Sequence, residues 1–324
     1  MKHIILDTDP GVDDAVAILL ACASESIELH GVTTVGGNVG IDAVTANALA
    51  VLELAGRPDI PVYRGADRSL SRETQRKSLA HGDDGLGGCR PALSEDAKPS
   101  EIDAVTFLTT HVRENPGTIT IVAIGPLTNI AAAIQADPSF AGNVKEVVLM
   151  GGAEGTGNVT PSAEFNFWHD PEAAEIVFTA GFASLTMVGL DATHQVFMTP
   201  GTRELVRQIG TPAAQFIHKI TRLYTDFYWK RYREVGAELC DVLAIAYLIE
   251  PDLIQMVPAE VEIATTGICE GRSVVARTGR YVERTANAEV ATKVQTRRFF
   301  ELLLTTLFPA DHADISRIVD HEYR

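Results

Sequence analysis

Four carboxylates crowd a short stretch near the start of the chain, in Asp7-Thr8-Asp9-Pro10-Gly11-Val12-Asp13-Asp14. The apolar run Ile4-Ile5-Leu6 precedes them and Ala15-Val16-Ala17-Ile18-Leu19-Leu20 follows. Those flanks read as a buried strand running directly into a buried helix, so the acids sit at the turn between the two. A helix start explains one or two of them through capping and the first-turn dipole. Four repel one another unless something positive lies among them. Hard divalent cations bind through oxygen, and Ca²⁺ accepts several carboxylates. A metal with bound water in turn points to hydrolysis.

The rest of the chain continues the alternation. Strands are expected at Lys2–Leu6, Glu28–Val35, Thr118–Ile124, Glu146–Met150 and Ser184–Leu190. Helices are expected at Asp13–Ala23, Asp42–Ala55, Ile102–Glu114, Leu127–Ala136 and Pro171–Thr179. Such β-α-β alternation implies an α/β fold, a doubly wound, mainly parallel, Rossmann-like sheet with helices on both faces. Later helices are expected at Ala213–Arg233, Asp241–Ile249 and Thr296–Leu307, with a strand pair at Val261–Ala264 and Ser273–Ala276. No Pro/Gly/Ser-rich linker or repeat interrupts the 324 residues, so one domain over 1–324 is expected. Residues 64–100 and 151–165 lack periodicity, and long loops in a compact domain are often functional.

Composition excludes several partners. With 27 basic against 43 acidic residues the net charge is −16, which disfavours nucleic acid and anionic membranes. A small neutral substrate suits the chain better. No apolar stretch reaches the roughly 18 residues of a membrane span. Cys22, Cys89, Cys240 and Cys269 form no C-x-x-C pair, so no zinc or redox motif is indicated. Sparse cysteine and a start unlike a secretory leader lead to an expected cytoplasmic location.

The polar residues fall where the expected strands end: Asp7 and Asp9, Gly36-Gly37-Asn38, Gly125-Pro126-Leu127-Thr128-Asn129, Gly151-Gly152, and Asp191 with His194. Ligands of such sheets bind at the carboxyl ends of the strands. Asn38 after two glycines is equally a turn residue. The Asp-x-Asp pair also bears on phosphatases with an aspartate nucleophile, but those carry a hydrophobic residue or Thr after the second Asp, where this chain has Pro10-Gly11.

The run Asp7-Thr8-Asp9-Pro10-Gly11-Val12-Asp13-Asp14-Ala15 resembles the signature of the nucleoside hydrolases, the inosine–uridine-preferring family. The resemblance extends through Val35-Gly36-Gly37-Asn38, His81-Gly82-Asp83-Asp84-Gly85-Leu86-Gly87, Gly125-Pro126-Leu127-Thr128-Asn129-Ile130-Ala131, Val148-Leu149-Met150-Gly151-Gly152, Ala163-Glu164-Phe165-Asn166-Phe167, Asp170-Pro171-Glu172-Ala173-Ala174, Asp191-Ala192-Thr193-His194-Gln195 and Asp241. It implies hydrolysis of the N-glycosidic bond of ribonucleosides with one bound Ca²⁺. The implied ligands are Asp9, Asp14, Asp241 and the carbonyl of Ile124, a position where the family usually has Thr. Asp9 is the implied general base for a metal-bound water, and the transition state resembles an oxocarbenium ion. Asp13 and Asn166 should hold ribose hydroxyls, Asn158 and Glu164 the 5′-hydroxyl, and Asn38 and Met150 should touch the ribose. Asp7 is expected to support the site rather than bind metal. The resemblance further implies a homodimer or homotetramer.

Many members carry His immediately before the late ligand Asp, where it helps the departing base accept a proton; this chain has Cys240, as a subgroup does. A thiol is a weak donor, so Cys240 is either a poor acid or a small buried residue. His81, His169, His194, Trp168, Tyr224, Tyr228 and Trp229 are the other candidates near the base. Tyr224 and Tyr228 share a helix face, a spacing that core residues also show. Base preference is expected from the 64–90 loop and the helix around 222–233. Two competing readings are a hydrolase of a modified nucleoside or related N-riboside and a non-catalytic ribose- or nucleoside-binding protein.

Overall fold

The computed structural model describes residues 1–71, 78, 80–280 and 285–324. The strands are β1 (Lys2–Thr8), β2 (Ile27–Thr34), β3 (Val62–Arg64), β4 (Thr120–Ala123), β5 (Glu146–Met150), β6 (Leu185–Val188), β7 (Phe197–Met198), β8 (Ala237–Glu238), β9 (Ile254–Ile263), β10 (Ser273–Arg277) and β11 (Ala288–Val294). Nine of them form one sheet in the order β10-β9-β11-β6-β5-β4-β1-β2-β3, and β7 and β8 make a separate small pair. From β3 across to β11 every neighbouring pair is parallel; only β9 runs against its neighbours. Interior parallel strands covered by helices on both faces should be apolar on both sides. Accordingly β1 is buried from Ile4 onward and β4 throughout.

The order 3-2-1-4-5-6 reverses direction between β1 and β4. In doubly wound sheets the ligand crevice lies outside the strand ends at that point. Asp9 leaves the end of β1 and Ile124 the end of β4, so the acidic turn lies at the crevice. The Val12–Ala23 helix follows directly, and the Cys240–Ile249 helix packs on it, so both N-termini reach the same place. The Thr296–Leu307 helix supports these two from behind.

The expected helices and main strands occur within a few residues of their expected bounds. The late strand pair differs. β9 is longer than Val261–Ala264, and β11, not anticipated, joins the pair to the main sheet by running parallel to β6. The Pro200–Ile209 and His312–Glu322 helices were not anticipated either. Their apolar positions are few and their cores are supplied by distant partners. Phe300 stacks on Tyr323 at 4.2 Å, and the Tyr323 hydroxyl pairs with Thr202 at 2.8 Å. Among the described residues no helix is long and apolar enough to cross a membrane.

Phe300 is fully buried. Phe300→Ala should destabilise the protein by about 3–5 kcal/mol, read as a lowered urea midpoint; an unchanged midpoint would show that the supporting helix is not part of the cooperative core.

Candidate active site

A cavity of about 280 Å³ opens at the switch point, close to the size of a small-ligand site. Asp9, Asp13 and Asp241 form its floor with Asn38 and the Ile124 backbone, and Met150, Glu164 and Asn166 form one wall. Asp14 lies behind the floor, fully buried. Carboxylate oxygens of Asp13, Asp14 and Asp241 come within 4.8 Å of one another. This compact trio includes Asp13, expected to hold ribose, and not Asp9.

Each acid is held by its local structure. Asp14 accepts the Thr8 hydroxyl at 2.6 Å, the Gly11 N–H at 2.9 Å and the Asn38 side-chain amide at 3.2 Å. Asp9 accepts the Asn38 backbone N–H at 2.7 Å, while the Asn38 side chain returns to the Asp9 carbonyl at 3.1 Å. Asn38 is therefore both the turn residue and the clamp on Asp9. Gly37 is required beside it, because a Cβ there would overlap the Asp9 carboxylate. Asp13 and Asp241 sit in the first turns of their helices, where the dipole favours negative charge.

That dipole does not offset the charge. Burial, with repulsion from the neighbouring acids, raises Asp9 and Asp241 well above the carboxylate range and Asp13 to about 7. No Lys or Arg among the described residues makes an ion pair with any of the four acids Asp9, Asp13, Asp14 and Asp241. The Asp241 backbone N–H points at an Asp13 carboxylate oxygen at 3.5 Å, which links the two helix starts. The donor set is all oxygen, including the Ile124 carbonyl, which also accepts the Asn166 amide at 3.0 Å. Such a set fits a hard divalent cation.

Asp7 stays outside the cavity. One of its oxygens accepts Thr33 at 2.5 Å and Asn129 at 2.8 Å, and burial raises it to about 7. Glu164 caps the Phe165–His169 helix, accepting the backbone N–H groups of Asn166, Gly152 and Phe167. The Asn166 amide also reaches the Met150 carbonyl at 3.1 Å. Asn158 faces the cavity, and its side-chain oxygen is buried with no hydrogen-bond partner. A buried acceptor left unpaired is costly, and a ligand hydroxyl would satisfy it.

The outer wall is aromatic. Tyr224, Phe227, Tyr228 and Tyr232 come from one face of the Pro212–Tyr232 helix, with Trp168 beside them. Ring contacts run from His81 to Tyr224, Tyr228 and Tyr232 at 5.2, 5.3 and 5.5 Å. Tyr224 and Tyr228 are both core and cavity lining, so the two readings of their spacing coexist. Phe227, Arg231 and Tyr232 were missed, although extending the i, i+3, i+4 pattern would have found them. Arg231 ties this helix to the 151–164 loop through the Asn158 carbonyl at 3.1 Å. Part of the 64–90 loop expected to set base preference, residues 72–77 and 79, lies outside the described residues.

Of the remaining candidates near the base, His81 and Cys240 line the cavity, and His194, His169 and Trp229 do not. His81 lines the cavity, but its Nδ1 accepts the Val12 N–H at 3.0 Å, which leaves the proton on Nε2; burial lowers it to about 4. It is a neutral donor at neutral pH, not an imidazolium acid. Cys240 lines the cavity as a thiol whose pKa burial pushes well up. His194 does not line the cavity. Its Nδ1 pairs with Glu238 at 2.8 Å, and the other Glu238 oxygen faces the Cys240 sulfur at 3.8 Å. The β7–β8 pairing turns His194 to this buried carboxylate. Trp229 is exposed under Arg233, and His169 packs on Phe165 outside the cavity lining.

The family model described as inosine-uridine preferring nucleoside hydrolase matches residues 4–301. An inosine-uridine preferring nucleoside hydrolase of Leishmania major is 40% identical over 310 residues, covering 94% of this chain and 97% of that protein. A pyrimidine-specific ribonucleoside hydrolase, RihA, of Shewanella baltica is 39% identical over 323 residues, covering 98% and 99%. The solved structure of a purine-preferring ribonucleoside hydrolase from Gardnerella vaginalis superposes with a TM-score of 0.89 at 32% identity, covering 96% and 100%.

Two outcomes follow from the acid cluster. A carboxyl whose pKa is raised on folding contributes stability fully below its unfolded value near 3.9, and loses it as pH rises through the folded value. Chelated protein should therefore lose thermal stability between pH 5 and pH 8, and added Ca²⁺ should restore more at pH 8 than at pH 5. Asp7 and Glu164, also raised to about 7, should leave a residual slope that Ca²⁺ does not remove. A flat Tm profile in chelator would contradict this account. Gly37→Ala should weaken Ca²⁺ binding at least tenfold by displacing Asp9, as read by calorimetry.

Proposed function

The chain belongs to the inosine-uridine preferring nucleoside hydrolase family, and from that premise we propose that it hydrolyses the N-glycosidic bond of ribonucleosides at the acidic cavity, with Ca²⁺ held by Asp9, Asp14, Asp241 and the Ile124 carbonyl. The observation that carries this reading is the buried set of carboxylates to which no lysine or arginine among the described residues is paired, at the floor of a cavity with a polar lower wall and an aromatic upper one. Bound Ca²⁺ would make water more acidic and orient the ribose hydroxyls.

Asp9 takes the proton from the attacking water, held in position by Asn38. Positive charge developing on the ribose meets the carboxylates beneath it, an arrangement that stabilises an oxocarbenium-like transition state. Asp13 and Asn166 hold the ribose hydroxyls, with Met150 against the sugar, and Asn158 and Glu164 meet the 5′-hydroxyl. The base lies among Trp168, Tyr224, Phe227 and Tyr228. It leaves against neutral donors, the Tyr228 hydroxyl and the His81 Nε2–H, with Cys240 the weakest of the three. Relatives of similar identity are described as inosine-uridine preferring and pyrimidine-specific, so the preference of this chain rests on its own outer wall.

Ribose release from inosine, adenosine, guanosine, uridine and cytidine, with and without chelator, tests the reading. Release should be chelator-sensitive. Asp9→Ala should lower kcat by about 10²–10⁴-fold, and the 2′-deoxynucleoside should lose about 10⁴-fold in kcat/KM because the groups for the 2′-hydroxyl stay unpaired. Normal turnover by Asp9→Ala would overturn the mechanism. No turnover of any of the five, with Ca²⁺ bound, would favour a modified nucleoside or a binding role.

A further inference from the structure

A second cluster of donor atoms lies at the opposite end of the sheet. β1 and β2 pair in register at His3↔Glu28 and Ile4↔Leu29, and then slip so that Ile5 faces Gly31. His30 is the extra residue of that bulge. Such insertions re-aim a side chain, and here His30 meets His3 and Glu28. The His3 Nδ1 lies 3.0 Å from the His30 Nε2 and 3.2 Å from one Glu28 oxygen; the other Glu28 oxygen is 3.6 Å from the His30 Nε2.

These three spacings match a metal site. Four ligands at 2.0–2.1 Å around tetrahedral zinc stand about 3.3 Å apart. The three groups present the Glu28 carboxylate and two imidazole nitrogens, a His₂Glu set with the fourth position free for water. A further observation concerns the other nitrogen of His30. Its Nδ1 lies 3.1 Å from the Nε2 of His111, on the Ala104–Glu114 helix. A metal-bound histidine characteristically donates its remaining N–H to a neighbour, which fixes tautomer and ring plane. His111 is placed to accept it. Gly31 makes this approach possible, since a Cβ there would collide with Tyr63 and Phe107, whose rings stack at 3.7 Å under the same helix.

We propose that His3, Glu28 and His30 form a binding site for a first-row transition ion of the Zn²⁺ class, with His111 orienting His30, and that the ion clamps β1 to β2. Imidazole donors suit Zn²⁺, Co²⁺ and Ni²⁺, whereas Ca²⁺ takes oxygen. The site is thus separate in chemistry from the acidic cavity. It is separate in space too, by the length of β1, about 20 Å. Binding to the folded chain alone raises stability by mass action.

The test is titration of the full chain with Zn²⁺ by calorimetry in excess Ca²⁺, which occupies the acidic cavity, and with Co²⁺ by visible absorption. One equivalent of Zn²⁺ should bind despite the Ca²⁺, Co²⁺ should give the intense bands of a low-coordinate site, and Tm should rise. His30→Gln should abolish all three, and His3→Gln should weaken Zn²⁺ at least tenfold, so a folding failure of one variant leaves the other decisive. Glu28→Gln should also weaken it. Absence of stoichiometric Zn²⁺ binding, its displacement by Ca²⁺, or unchanged affinity in His30→Gln and His3→Gln would each overturn the proposal. None of these readouts depends on nucleoside turnover.

Discussion

The structure is organised around uncompensated negative charge at the point where the sheet reverses its winding. Asp9, Asp13, Asp14 and Asp241 are taken out of water with no lysine or arginine among the described residues paired to them. Burying unpaired charge is among the most expensive things a protein can do. Backbone N–H groups, the Thr8 hydroxyl, Asn38 and two helix N-termini reduce that cost without neutralising it. Raised carboxyl pKa values are the remaining imbalance, and a cation is the direct way to remove it.

Much of the surrounding structure serves that arrangement. Gly37 is small because Asp9 needs the space, and Gly11 because the His81 ring and Asn38 amide press against it. Asp7 ties the end of β1 to β2 and to the Thr128–Ala136 helix through Thr33 and Asn129. Asp191 holds the 151–164 loop by its backbone, accepting the Glu154 N–H at 2.6 Å. Arg231 ties that loop to the aromatic helix. Polar residues at the strand ends therefore divide between those that face the cavity and those that hold the loops which do.

The aromatic side of the cavity is built differently. Its buried donors are neutral: a histidine locked by a backbone N–H, phenols and a thiol. The hydrogen-bonded pair of His194 with Glu238 lies behind Cys240 rather than in the cavity. Buried negative charge is concentrated at the floor, where the proposed reaction would develop positive charge on the ribose, and the one arginine of the aromatic wall, Arg231, is exposed.

The sequence by itself determined the alternation of strands and helices, the turn carrying the acids and the clustering of polar residues at strand ends. These depend on short-range periodicity and on helix-start chemistry, both local in the chain. β11, the Pro200–Ile209 and His312–Glu322 helices and the partner of His194 were decided by tertiary structure, because their apolar or polar complements lie far away in sequence. Cys240 and His81 show the same division. Their positions at the cavity were legible from motifs, but their protonation was not, since burial and a single N–H from Val12 set it. Likewise His3 and His30 are unremarkable histidines in the sequence, and only the bulge in β2 brings their nitrogens together.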